Sequence, residues 1–147
     1  MNVSSDLQTE KWAAIYNREV RNYINLKLKP FELQENNFYY ILIIIENPGV
    51  SQKVLSEYMR REQSIVTKAI RPLIQHGWLE LVKDPADKRQ TMIYPTEKSL
   101  SAYPALKETL GLINTNITSG LTKVESEEFN RLIQKATEHL LKTNKHK

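Results

Sequence analysis

The 147-residue chain contains no cysteine, which excludes disulfides, thiolate metal sites and cysteine-based redox sensing. Glycine is scarce: Gly49, Gly77, Gly111 and Gly120 stand alone, so there is no glycine-rich loop to cradle a phosphate. The three histidines, His76, His139 and His146, are isolated from one another, and no pair has the helical spacing of metal ligands. Serines and threonines abound without a placed base, so no nucleophilic triad is in sight. The longest apolar run, Phe38 to Ile45, is far too short to span a bilayer. No basic segment followed by an apolar one opens the chain. These absences argue against an enzyme, a bound cofactor and a membrane partner, and the expected location is cytoplasmic.

What is present is a chain 40% hydrophobic and 26% charged, a balance that excludes pure disorder and suits one domain or a small domain with helical extensions. The net charge of +4 is unevenly spread: −1 over residues 1–50, +3 over 51–95 and +2 over 96–147.

The segment with the largest excess is also the most structured in pattern. At about 100° per residue, Ser64, Thr67, Lys68, Arg71 and Gln75 share one arc of a helix, and all can donate hydrogen bonds. The opposite arc carries Val66, Ala69, Ile70 and Leu73, flanked by Ile65 and Ile74, and is expected to face a core. No acid lies between Gln63 and Gln75, whereas a merely soluble face mixes signs. A short helix precedes it, with Ser51 as N-cap and Val54, Leu55 and Tyr58 as apolar positions. Gly77 is placed to close the two-faced helix in the left-handed conformation. Trp78–Val82 and Thr91–Tyr94 then read as a hairpin around the polar tip Asp84–Gln90. Helix, two-faced helix and hairpin in that order suggest a winged helix-turn-helix, whose second helix enters the DNA major groove.

The rest of the chain is helical in pattern. Trp12, Ile15, Tyr16, Val20, Tyr23 and Ile24 recur at helical spacing until Pro30 closes the segment. FYYILIII is apolar on every side, so periodicity alone does not separate strand from helix; a buried helix is the expectation. Thr96 caps a helix with a seam of Leu106, Leu110, Ile113 and Ile117, kinked early by Pro104. Thr122 and Glu125 form a capping box opening a last helix with the stripe Phe129, Leu132, Ile133, Ala136 and Leu140, and the end from Lys142 is expected to fray. The fold class is thus mainly α with a small β-hairpin wing: residues 33–95 form the winged core, and residues 1–32 and 96–147 a helical dimerisation region. A compact winged core cannot bury all these stripes, so a second copy of the chain is the expected partner.

The chain resembles the MarR regulators, of multiple antibiotic resistance type, from the Leu33 region to Leu140. The resemblance is carried by VLSEYMRREQSIVTKAIRPLIQHGWLEL (Val54–Leu81), the wing DPADKRQ (Asp84–Gln90) and YPTEKS (Tyr94–Ser99) in that order and spacing. It implies a homodimeric winged-helix transcription factor, usually a repressor, joined through its terminal helices. It maps Gln63, Ser64, Thr67 and Lys68 onto groove-facing positions and Arg89, beside Lys88, onto the wing tip that enters the minor groove. Asp87 matches a wing aspartate that orients arginines. Three residues depart from the family pattern. Arg60 stands where glycine is common, implying a strained turn or a side chain reaching a phosphate. Pro72 inside the recognition helix is expected to kink or tighten it near Lys68–Arg71. Ser99 replaces another usual glycine with little obvious consequence.

The side-chain chemistry fits double-stranded DNA. Gln63 can present a bidentate edge to adenine, Thr67 can place its methyl against thymine, and Lys68 and Arg71 can pair with guanine or phosphate. Arg89 in a narrow A·T-rich groove meets an enhanced negative potential. Family members often bind small aromatic or phenolic effectors, for which Trp12, Tyr16, Tyr39 and Arg21 are the candidate pocket. The rival function is a winged-helix interaction or scaffold module that has lost specific DNA binding.

Overall fold

A computed structural model describes Asp6 and residues 8–145. The elements run α1 (Gln8–Leu28), a 3-10 turn (Lys29–Phe31), α2 (Phe38–Glu46), β1 (Val50–Ser51), α3 (Gln52–Met59), α4 (Gln63–Gln75), β2 (Leu79–Lys83), β3 (Thr91–Pro95), α5 (Glu97–Asn116) and α6 (Lys123–Asn144). They divide into two compact units, one ending at Gly111 and one beginning at Leu112.

The first unit is built around α2. FYYILIII is a helix with Phe38, Tyr40, Ile41, Leu42 and Ile44 buried, Ile43 and Ile45 half-buried and Tyr39 exposed, because protein surrounds it on most sides. Leu55 of α3, Val66, Ile70 and Leu73 of α4, Leu79 and Ile93 of the sheet and Trp78 just before β2 are also buried, as are Ile24 and Leu28 of α1, Leu33, and Leu106 of α5. The sheet has the order β1-β3-β2, all antiparallel, and Ile93 sits at its centre between Val50 and Leu81. The two-residue β1 is a strand only through that pairing. Gly49, just before it, has φ +86, which favours glycine, and a Cβ there would crowd the Tyr94 hydroxyl at 3.0 Å.

Burial corrects three expectations. Val54 and Tyr58 do not enter the core; of the apolar positions in α3 only Leu55 does, and Tyr58 is 71% exposed. Ile65, expected at the flank of the oily arc, is exposed as well. Ser99, expected to be inconsequential, is fully buried.

The second unit is the end of α5, a turn, and α6. Thr122 accepts from the Glu125 backbone and Glu125 returns the bond to the Thr122 backbone, completing the expected capping box. Those bonds hold the Glu125 carboxyl below the usual carboxylate range. Along α6, Leu132, Ile133 and Leu140 are exposed. The helix continues through Lys142 to Asn144, beyond where fraying was expected; positions 146 and 147 lie outside the described residues, as do positions 1–5 and 7 of the proposed N-terminal dimerisation segment.

Candidate nucleic-acid interface

Two short helices can present one of them to a groove only if the turn between them is tight. Here Arg60 supplies the left-handed residue, with φ +52, and its backbone N–H bonds to the Glu57 carbonyl while that of Arg61 reaches Ser56. A non-glycine residue there stores strain, as the departure from the family pattern implied.

The turn delivers α4 with Val66, Ile70 and Leu73 buried and Gln63, Ser64, Lys68, Arg71 and Gln75 exposed. Lys68 and Arg71 form no ion pair among the described residues. Their charges are therefore uncompensated on a face without acids. Thr67 differs from its neighbours: it is half-buried, its hydroxyl donates to the Gln63 carbonyl at 2.8 Å, and it lies 3.2 Å from Oε1 of Gln52 at the start of α3. The hydroxyl proton is thus used within the protein, between α4 and α3, which leaves Thr67 its methyl and its hydroxyl lone pairs for a ligand. Pro72 gives the Lys68 carbonyl no N–H partner, yet α4 runs unbroken to Gln75 with no 3-10 segment at Lys68–Arg71. Val66, Ile70 and Leu73 remain buried on either side of the missing bond.

Helix α4 closes at Gly77, with φ +76, and Trp78 donates back to the Leu73 carbonyl at 2.8 Å. The carbonyls that follow are all met by the start of α5. Lys98 reaches the His76 carbonyl at 2.9 Å, Thr96 donates to that of Gly77, and the buried Ser99 hydroxyl donates to that of Trp78. The Lys98 ammonium also lies 4.3 Å from the centroid of the Trp78 ring. This latch holds the end of α4 to the root of the wing. Only the capping role of Thr96 was expected from sequence; the Ser99 and Lys98 bonds to backbone carbonyls were not. Ser99→Ala, which removes a buried donor to Trp78, is expected to lower unfolding free energy by about 1–3 kcal/mol in a denaturant titration.

At the wing tip Asp84 donates its backbone N–H to the Gln90 carbonyl, closing the loop, and Asp87 caps it from within. The Asp87 carboxylate accepts the Arg89 backbone N–H at 3.0 Å, so it orients the backbone beneath Arg89. Lys88 and Arg89 are exposed and form no ion pair among the described residues.

A separate cavity of about 430 Å³ is lined by Arg21, Glu35, Tyr39, Tyr40, Met59 and Arg61, with Asn17, Val20, Ile24 and Asn36. Arg21 pairs with Glu35 at 2.8 Å. The Tyr40 hydroxyl is buried there without a hydrogen-bond partner among the described residues, and burial raises its pKa against the opposing pull of Arg61. Of the four candidate effector residues, Arg21 and Tyr39 line this cavity. Trp12 and Tyr16 do not: Trp12 is 60% exposed, with the Lys11 ammonium over its ring, and Tyr16 is half-buried elsewhere on α1.

The paired short helices, the exposed acid-free face and the three-stranded sheet with its charged tip define a winged helix-turn-helix protein. Comparison with known proteins places it further. The MarR family model matches residues 33–91. The HTH-type transcriptional regulator YybA of Bacillus subtilis is 27% identical over 124 residues, 84% of this chain and 82% of that protein. A MarR protein from Peptoclostridium difficile superposes with a TM-score of 0.85 at 26% identity, covering 97% of this chain and 94% of the other. A mutant MarR from E. coli, solved in complex with operator DNA, shares the fold with a TM-score of 0.81 at 17% identity over 91% and 99% of the two chains. The chain thus resembles MarR-family proteins, in the family model over its winged helix-turn-helix region and in relatives named as transcriptional regulators over most of its length. No helix among the described residues is long and apolar enough to cross a membrane.

Proposed function

We propose that the protein is a homodimeric repressor that binds a pseudo-palindromic site in double-stranded DNA and is released by a small effector. The observation that carries DNA binding is the conjunction of an acid-free exposed α4 face with an exposed, unpaired Lys88–Arg89 tip held on a braced wing. Gln63, Ser64, Lys68 and Arg71 read or clamp the major groove, Thr67 offers its methyl to a base, and Arg89 enters the minor groove. Thr67→Ala is expected to cost about 1–3 kcal/mol of specific affinity, measured by fluorescence anisotropy.

Dimerisation is supported by apolar side chains left in water on the terminal helices: Trp12 and Leu26 of α1, and Leu132, Ile133 and Leu140 of α6. Residues 1–32 and 96–147 would form the interface. A two-fold dimer sets its recognition helices about one DNA turn, roughly 34 Å, apart. Hydroxyl-radical footprinting should therefore show paired protected patches at that spacing. A single protected patch would contradict the dimer.

The cavity of about 430 Å³ is of a size for a small aromatic anion. The unsatisfied Tyr40 hydroxyl and the Arg21 and Arg61 guanidinium groups supply polar recognition. Such a ligand releases DNA only by binding better to the dimer conformation that does not match the site.

A further inference from the structure

Ile65 is 42% exposed, although the apolar pattern of its helix assigns it to the core. It is the third residue of α4, within the first turn, where recognition helices reach base edges. Its neighbours Ser64 and, one turn on, Lys68 are both exposed. At about 100° per residue, Ile65 stands about 60° around the helix from Lys68, and Pro72 falls between them. The exposed face of α4 therefore has two unlike edges. Gln63 and Thr67 make one edge polar, and Thr67 is tied to Gln52. Ile65 and Pro72 make the other apolar.

We propose that Ile65 is a specificity-determining residue that packs against the 5-methyl group of a thymine in the major groove. This rests on the reading of α4 as the recognition helix. Isoleucine has no donor or acceptor, so it cannot read the hydrogen-bonding edge of a base. The one apolar feature that a base pair shows in the major groove is the thymine methyl. A β-branched side chain in a helix is held close to one rotamer, so the contact orders little that was free. Cytosine at the same position would lose the methyl and turn an amino group toward an apolar surface.

The test begins with the duplex that the wild-type protein enriches from a random pool. Each thymine in it is then replaced singly by uracil, which removes the 5-methyl and keeps the pairing. The wild-type protein is expected to lose about fourfold in affinity per half-site at one thymine, the contribution of about one buried methyl. Ile65→Ala should bind the thymine and uracil duplexes equally. Ile65→Val, which keeps a β-branched side chain, should retain most of the discrimination. Thermal unfolding of both variants should match the wild type, since Ile65 is outside the core. Equal uracil penalties in wild type and Ile65→Ala, or no sensitive thymine, would overturn the inference while DNA recognition stands. Failure to enrich any duplex would overturn the recognition-helix reading and this inference together.

Discussion

Arg89→Ala is expected to weaken binding to the preferred duplex by about 1–3 kcal/mol per half-site, with no change in folding stability. The two effects separate because the wing tip is built from backbone. Asp84 and Gln90 close the loop, and Asp87 holds the Arg89 N–H. The guanidinium has no ion pair to lose among the described residues. Its contribution should be greatest where the flanking sequence is A·T-rich and the minor groove narrow. Anisotropy titrations on A·T-rich and G·C-rich flanks, with an unfolding curve for the variant, measure both. Unchanged affinity on either flank would remove Arg89 from the interface.

Ile70→Ala is expected to have the opposite signature. Ile70 is 1% exposed on the back of α4, and truncating a buried isoleucine costs about 2–5 kcal/mol, a large share of the stability of a single domain. Calorimetry should show a clearly lowered unfolding temperature, with DNA affinity lost only as the folded fraction falls. Lys68→Ala, two residues away, should leave unfolding unchanged and reduce both affinity and the salt dependence of binding. A destabilised Lys68→Ala, or a stable Ile70→Ala, would mean that the two faces of α4 have been assigned the wrong way round.

Features with a local physical cause were legible from residues alone. Ser51 caps α3, Gly77 closes α4 in a conformation that favours glycine, and Thr122 with Glu125 opens α6, because each requirement is met within four residues. The hairpin was equally readable, as its turn chemistry sits between two strand-like runs.

What could not be read depends on which side of a helix the neighbours occupy. An apolar arc says that something is buried, but its width is set by packing. Helix α4 buries only the centre of its arc, Val66, Ile70 and Leu73, which leaves Ile65 in solvent. Val54 and Tyr58 fail for the same reason, since α3 turns Leu55 and Ser56 inward. The two-residue β1 needs β3 to exist, and the Gln52–Thr67 link joins residues fifteen positions apart. Ser99 looked like a bland replacement because its partner, the Trp78 carbonyl, is backbone and leaves no trace in side-chain pattern.

The most direct measurement is affinity for duplex DNA from upstream of the protein's own gene, against a scrambled duplex, at low and near-physiological salt. Tight binding that keeps a preference of about 10³-fold or more for the native duplex at the higher salt is the expected result. Equal binding to both duplexes that collapses with salt would reflect phosphate attraction alone, and would contradict sequence-specific regulation in favour of a winged-helix scaffold.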